Sequence, residues 1–96
     1  MNRILHPLAV VELNEASHWY ESIDSDISES FVLEFEKQAD KILENPYLYN
    51  IRDHGCRRIN LQHFPYYLPY SIENDEIVIL AVAHQSRKPG YWKNRI

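Results

Sequence analysis

The residues best suited to chemistry lie near the end of the chain, behind a strongly apolar run. His84 and Tyr91 carry groups that transfer protons, and Arg87 stands between them with a cation that can hold a phosphate. Arg57 and Arg58 are the other candidate phosphate ligands. Cleavage of RNA through its own 2′-hydroxyl requires such groups, so His84, Arg87 and Tyr91 are candidate catalytic residues.

A structural role is the alternative for each of these residues. A single histidine at a strand end commonly donates a hydrogen bond to a nearby carbonyl, and we expect His84 to be structural rather than catalytic. Arg57 and Arg58 are adjacent in a strand, so they point to opposite faces. We expect one of them on the open sheet face, while the other packs locally.

Metal and cofactor sites are not predicted. The remaining histidines show no His-x-x-x-His spacing, and two glycines in the whole chain argue against a phosphate-binding loop. The single cysteine, Cys56, excludes an internal disulfide, and we expect an inert, half-buried thiol in a reducing cytoplasm. The first residues predict neither a signal peptide nor a membrane anchor.

The thirteen residues from His84 to Ile96 form a cationic, aromatic tail without a carboxylate. A tail of this kind, rooted in a buried strand, is suited to gripping a partner. The residues expected to bind a target are Arg57, Arg58, Arg87, Lys88, Tyr91 and Trp92.

Composition and charge favour a protein partner over nucleic acid. The 96 residues make one domain, residues 1–96, with a net charge of −4. Residues 1–50 carry ten acids against three basic residues, whereas residues 51–96 carry four acids against seven. A protein that binds nucleic acid usually has a larger positive excess.

Apolar spacing predicts two antiparallel helices. Ala9, Leu13, Ala16 and Tyr20 form one helical stripe over residues 7–22, with Pro7 in the first turn. A second helix begins at a capping box of Asp26 and Glu29 and ends at residues 45–46. The short connection between them implies a helical hairpin.

The rest of the chain predicts strands, with a first weak strand at residues 2–5. Segments 56–62 and 66–72 alternate with period two, and residues 73–76 form a turn into a strand over residues 77–83 that is buried on both faces. Pro69 marks a bulge or an edge. The prediction is an α+β domain of order β-α-α-β-β-β, with the helical hairpin on one face of a three- to four-stranded antiparallel sheet.

Apolar residues outside the core stripes predict a partner surface. A small domain cannot hide them all, so we expect an amphipathic helix or an added strand to cover them. The residues in question are Leu8, Val11, Trp19, Val32 and Leu33.

Taken together, these features resemble the RelE/ParE superfamily of bacterial type II toxins, and the ParE-like branch most. The resemblance spans nearly the whole chain. It is carried by His6-Pro7, Glu12-Leu13, Ala16, Trp19-Tyr20-Glu21, Asn45-Pro46, Arg57-Arg58, Phe64-Pro65-Tyr66-Tyr67, Tyr70, Val82-Ala83-His84, Arg87-Lys88-Pro89 and Tyr91-Trp92.

The resemblance implies a plasmid-stabilisation type of toxin, neutralised by a cognate antitoxin from the adjacent gene. It implies no cofactor. ParE-like members poison DNA gyrase, whereas RelE-like members are ribosome-dependent mRNA endonucleases. A gyrase-binding toxin that is not an enzyme is the leading hypothesis. An mRNA endonuclease, or a degenerate non-toxic binding module, is the alternative, and a homodimer or a heterotetramer with the antitoxin stays open.

Overall fold

Two helices form where the apolar spacing predicts them. The first, α1, runs over Pro7–Glu21, and the second, α2, over Ser25–Glu44. The computed structural model describes residues 1–95, and Ile96, the last residue of the predicted cationic tail, lies outside the described residues. Proline suits the first turn of α1, where its missing N–H has no partner to lose.

The start of α2 differs from the prediction. Asp24 is the N-cap, and its carboxylate accepts a hydrogen bond from the Asp26 N–H at 2.8 Å. The predicted capping box of Asp26 and Glu29 is wrong, because both residues lie inside the helix. Aspartate is a favoured cap at either position, and it is the extended backbone at Asp24 that decides between the two.

Five strands form one mixed sheet beside the helical hairpin. Its spatial order is β1-β4-β3-β2, with β5 paired to β3 as well. β3 pairs antiparallel with β2, β4 and β5, but β1 pairs parallel with β4, so the predicted all-antiparallel sheet is wrong in this respect. The helical hairpin follows β1, so no tight turn forces β1 to run antiparallel to its neighbour. The strands are β1 (Asn2–Leu5), β2 (Arg57–Asn60), β3 (Tyr66–Glu73), β4 (Glu76–Ile79) and β5 (Ala83–His84).

The turn between β3 and β4 is confirmed. Asn74 and Asp75 have φ values of 49° and 64°, as a tight two-residue hairpin turn requires.

The apolar run at residues 77–83 is buried as predicted, but it is not one strand. Tyr70 pairs with Ile79 and Tyr67 pairs with Ala83, so the run holds one more residue than the part of β3 that it faces. A bulge takes up this residue between Leu80, which faces Pro69, and Ala83. Of the two alternatives predicted for Pro69, a bulge or an edge, the structure shows a bulge beside it, since β3 has paired strands on both sides.

The core has two parts, one on each face of the sheet. Between helices and sheet, Phe31 and Phe35 of α2 pack with Leu68 and Ile79 of the strands. On the opposite face, Trp92 of the tail packs in a smaller cluster, which also contains Cys56, Tyr67, Leu80, Ala81 and Ala83. The tail therefore covers part of the sheet face that the helices leave free.

Glu34 of α2 fastens the connection between β2 and β3. Its Oε2 accepts hydrogen bonds from the N–H groups of Gln62 and His63 at 2.6 and 2.9 Å, and its Oε1 lies 2.6 Å from His63 Nδ1. Burial opposes ionisation of this carboxyl, but these hydrogen bonds and the nearby imidazole outweigh it, so the pKa of Glu34 is lowered from 4.5.

We expect Glu34→Gln to lower the free energy of unfolding at pH 7 by about 2 kcal/mol, because charged hydrogen bonds are replaced by neutral ones. A lowered carboxyl pKa stabilises the fold above the ordinary value of 4.5, and this stabilisation is lost as the pH falls through the folded pKa. The difference between the two proteins should therefore shrink in acid. Urea unfolding at several pH values measures it. Glu29→Gln, an exposed substitution on the same helix, is the control, and equal effects of the two would contradict the assignment.

Candidate functional site

The carboxylate of Glu12 joins α1 to the sheet and to the tail. Its Oε1 accepts a hydrogen bond from the Val82 N–H at 3.1 Å, within the bulge between β4 and β5. Both oxygens accept from Arg95, at 2.9 and 3.1 Å, and Oε2 also accepts from the Tyr91 hydroxyl at 2.8 Å. The Glu12 side chain is 14% exposed, so its charge is largely removed from water and is balanced by Arg95.

Tyr91 lies between two guanidinium groups. Arg87 Cζ is 3.7 Å from the centroid of its ring, and Arg95 Cζ is 5.1 Å away. Burial, followed by the hydrogen bond to Glu12 and the charge of Glu12, raises the pKa of the Tyr91 hydroxyl, although both arginines act in the opposite direction. Tyr91 therefore keeps its proton near neutral pH and directs it to Glu12, so this hydroxyl is not available as a base.

Arg95 also donates the hydrogen bond that Pro69, lacking an N–H, cannot donate to the neighbouring strand. The Leu80 N–H donates to the Pro69 carbonyl at 2.8 Å. In a regular antiparallel pair, the N–H of residue 69 would complete this pairing by donating to the Leu80 carbonyl, but proline has none. The Leu80 carbonyl accepts from Arg95 Nη1 instead, at 3.0 Å. One guanidinium thus satisfies both a buried carboxylate and an orphaned backbone carbonyl.

Arg87 is the more exposed of the two arginines that face Glu12. Its side chain is 56% exposed, and its Nη1 lies 3.6 Å from Glu12 Oε2, compared with 13% exposure and 2.9 Å for Arg95. An ion pair this long and this exposed contributes little to stability. Arg87 is therefore held in place by the Tyr91 ring, while its guanidinium still reaches solvent.

His84 is held by a local turn. Its Nδ1 accepts a hydrogen bond from the Ser86 N–H at 3.0 Å and lies 2.8 Å from Ser86 Oγ. Its ring meets the edge of Tyr66 with a centroid separation of 5.0 Å. The prediction that His84 donates a hydrogen bond to a carbonyl is wrong for Nδ1, because this nitrogen accepts one from the Ser86 N–H. The neutral imidazole then carries its proton on Nε2.

His84 shares a shallow cleft of about 210 Å³ with the candidate residues of α1 and the tail. The cleft lies between α1 and the end of the sheet. Arg87 is one of its lining residues, whereas Tyr91 is not. It is lined by Glu12, Glu15, Ala16, Trp19, Tyr66, Val82, His84 and Arg87. The predicted trio of His84, Arg87 and Tyr91 is thus only partly brought together.

Arg57 and Arg58 occupy opposite faces of β2, and each packs on a tyrosine. Arg57 donates to the carbonyl of Tyr49 at 2.6 Å, with its guanidinium 5.4 Å from the Tyr47 ring. Arg58 stacks on the Tyr67 ring at 3.8 Å and donates to Asn60 Oδ1 at 3.0 Å. Arg58 therefore lies on the face that the helices leave free, and Arg57 supports the chain that follows α2.

Lys88 and Trp92, the last two predicted target-binding residues, differ in their exposure to solvent. Lys88 is exposed. Trp92 is 1% exposed, and its indole N–H donates to the Tyr67 hydroxyl at 3.3 Å. The expectation that Trp92 belongs to a binding surface is corrected, because its side chain fills the smaller core cluster. His54 meets the Trp92 ring edge to face and lies against Gly90, whose φ is 81° and where an added Cβ would overlap the imidazole.

The predicted partner surface is largely exposed. Leu8, Val11 and Trp19 of α1 and Leu33 of α2 are between 47% and 63% exposed. Val32 differs from them, because it packs partly against the core.

Neither a metal site nor a membrane-spanning helix is found within residues 1–95. In this part of the chain, no three side chains of His, Cys, Asp or Glu are grouped so that they could hold a metal ion. No helix there is long and apolar enough to span a bilayer. Cys56 is buried, and burial raises the pKa of its thiol, so it is a poor nucleophile.

Sequence reasoning missed the roles of Glu12 and Arg95. The sequence pattern places Glu12 in the resemblance without a function and gives Arg95 only as one of the tail's cations. One signal was available. Glu12 is four residues from both Leu8 and Ala16, so it borders the apolar stripe of α1, where a carboxylate needs a cationic partner.

Comparisons with known proteins agree on one family. The profile of the family described as the ParE toxin of the type II toxin-antitoxin system parDE matches residues 3–89. A solved structure of the chromosomal ParDE TA system from P. aeruginosa contains a similar chain, with a TM-score of 0.77 and 18% identity over 88% of this chain and 95% of that chain. At 18% identity, the structural similarity to that chain shows a shared fold alone. No curated protein sequence matches this chain significantly.

We expect the loss of Arg95 to depend on residue 69. Arg95→Ala should lower the free energy of unfolding by about 3 kcal/mol, because it leaves a buried carboxylate without its partner. In a Pro69→Ala background the loss should be smaller, since the alanine N–H can donate to the Leu80 carbonyl. A double-mutant cycle by urea unfolding measures this coupling.

Lys93→Ala is the matched control, because it removes an exposed charge from the same turn of the tail. It should be nearly neutral in both backgrounds. Additive effects of Arg95→Ala and Pro69→Ala would contradict the role assigned to Arg95 at the bulge.

Proposed function

This chain belongs to the ParE toxin family of type II toxin-antitoxin systems, and on that premise we propose that it inhibits DNA gyrase by binding it. In this proposal a cognate antitoxin, encoded by the adjacent gene, neutralises the chain in the cytoplasm. The free toxin acts by occupying a surface of its target and performs no bond cleavage.

The observation that carries this proposal is the internal use of the groups that catalysis would need. RNA cleavage requires a base that is free to take the 2′-hydroxyl proton and an acid that is free to give one. The Tyr91 hydroxyl donates to Glu12 and keeps its proton, and His84 Nδ1 is occupied by Ser86. Tyr91 is thus not available for proton transfer, and His84 could take part only through Nε2, so the predicted pair of proton-transfer groups is not assembled, whereas Arg87 lines the cleft with its guanidinium exposed.

The target surface in this proposal centres on Arg87. Its guanidinium is fixed over the Tyr91 ring and remains more than half exposed, so binding a carboxylate costs little conformational entropy. Lys88 follows it in an exposed position, and Arg58 presents a second stacked guanidinium on the sheet face free of helices. Arginine on an aromatic ring is a common anchor of protein interfaces.

The antitoxin surface in this proposal lies on α1. Leu8, Val11 and Trp19 recur at helical spacing and are exposed, so one side of the helix presents apolar groups to water. Such a row is typical of a groove that receives an amphipathic segment.

We expect Arg87→Ala to reduce toxicity in cells and inhibition of gyrase supercoiling by at least about tenfold, as truncating an interface arginine does. Because the Arg87 side chain is largely exposed, the melting temperature of the Arg87→Ala variant should stay close to that of the native chain. Lys93→Ala removes the same charge from the same tail and should keep full activity. His84→Gln should do so as well.

The competing activity is tested in the same experiment, by adding translating ribosomes and following mRNA cleavage. If His84→Gln abolishes toxicity at an unchanged melting temperature, and a ribosome-dependent cleavage disappears with it, the protein is a nuclease and this proposal is wrong.

A further inference from the structure

The sheet has a notch where β2 stops short of β3. β2 begins at Arg57, which pairs with Tyr70, whereas β3 continues to Glu73. The chain before β2 leaves the line of the strand at Gly55, whose φ is 74°. Among the described strands, residues 71–73 therefore have a neighbour on the β4 side and none on the β2 side.

The register identifies Ile72 as the residue whose backbone faces this notch. On the β4 side the Pro69 carbonyl accepts from the Leu80 N–H, and on the β2 side the Tyr66 carbonyl accepts from the Leu61 N–H. Backbone groups alternate between the two sides along an antiparallel strand, so the N–H and C=O of Ile72 point to the β2 side, as those of Tyr66 do. Neither group has a backbone partner in the described part of the chain. The notch thus offers one donor and one acceptor from the same residue.

A cavity of about 290 Å³ occupies the notch, and its walls are partly apolar and partly charged. Tyr47 and Ile51, from the connection between α2 and β2, give it apolar walls and are 63% and 59% exposed. Arg57 and Glu73 give it one positive and one negative charge. The volume is at the small end of the range for ligand sites, so it suits a molecule of the size of one amino acid.

The two charged side chains are both available to a ligand. Nη1 of Arg57 donates to the Tyr49 carbonyl, but its Nε and Nη2 have no hydrogen-bond partner among the described residues. Glu73 is exposed and forms no ion pair with any described side chain, including Arg57. Because Arg57 lies beside Tyr70, the two charges stand on either side of Ile72 along β3.

This arrangement matches a molecule that carries a carboxylate and an ammonium group on one carbon atom. A carboxylate accepts from a guanidinium and a backbone N–H, and an ammonium group donates to a carboxylate and a backbone carbonyl. A peptide that added a strand here would find no further open residue to pair with, because the turn at Asn74 and Asp75 follows at once. A single amino acid needs only the one open residue.

We propose that the notch binds a free α-amino acid with an apolar side chain. Its carboxylate meets Arg57 and the Ile72 N–H, and its ammonium group meets Glu73 and the Ile72 carbonyl. Its side chain packs between Tyr47 and Ile51. The site is separate from the cleft described above, and the inference does not rest on the proposed function. Because the ligand binds the folded chain, it also raises the free energy of unfolding.

A series of ligands tests each part of this contact on the full chain. L-Leucine is titrated by calorimetry beside isocaproate, which lacks the ammonium group, and isoamylamine, which lacks the carboxylate. N-acetyl-leucine and leucinamide represent the ends of a peptide. The amide signal of Ile72 in a nitrogen–proton correlation spectrum reports occupancy of the notch. The amide of Ile59, which lies in the ladder between β2 and β3, is the reference.

Two matched pairs of variants test the location of the site. Glu73→Gln removes the partner of the ammonium group, and Glu76→Gln removes the same charge from the paired residue on β4, which does not line the cavity. Ile51→Ala shortens an apolar wall, and Leu48→Ala shortens an exposed side chain of the same connection outside the cavity. None of these four side chains is buried, so we expect all four variants to fold, and their melting temperatures without ligand check this.

We expect L-leucine to bind and to move the Ile72 amide signal, and the analogues that lack one charge to bind at least about tenfold more weakly. Glu73→Gln should weaken leucine binding about tenfold and Ile51→Ala roughly threefold, with both controls unchanged. The inference is overturned if leucine does not bind or leaves the Ile72 signal in place. It is also overturned if N-acetyl-leucine or leucinamide binds as tightly as leucine, or if either test variant behaves like its control. Gyrase inhibition is measured separately, so the proposed function stands or fails independently of these results.

Discussion

The carboxylate of Glu12 holds together three parts of the chain that are far apart in sequence. It reaches from α1 to the backbone of the bulge at Val82 and to the tail at Tyr91 and Arg95. A carboxylate removed from water is costly unless its charge and its lone pairs are matched, and here a guanidinium, a hydroxyl and a peptide N–H match them. The position of Arg87 follows from this arrangement, because Arg87 stacks on the ring that Glu12 holds.

A proline in the middle of a sheet explains why the tail returns to the strands. Pro69 lies on β3, an interior strand with neighbours on both sides, where a missing N–H leaves a carbonyl opposite without a donor. The structure meets this constraint with a bulge and with the guanidinium of Arg95. The residues that close the arrangement, Tyr91 and Arg95, lie beyond the part of the chain that the family profile matches.

The sequence predicted the elements well and the long-range contacts poorly, for a physical reason. The helices, the turn at Asn74 and Asp75 and the burial of residues 77–83 follow from local periodicity and turn preferences, which act within a few residues. The parallel pairing of β1 and the partner of Pro69 depend on residues far away along the chain. Trp92 was misplaced for the same reason, because an aromatic residue in a cationic tail has the same local pattern whether it is exposed or packed.

The contact between Glu12 and Arg95 spans 83 residues, and this separation governs the order in which the native state can be reached. Closing so long a loop has an entropic cost that only the surrounding structure can offset, so the contact forms after helices and hairpins are in place. Until then the bulge has an unsatisfied carbonyl and Glu12 has no counter-ion. The arrangement that fixes Arg87 is therefore among the last parts of the molecule to form, and a newly made chain presents this guanidinium in its final position only at the end of its folding.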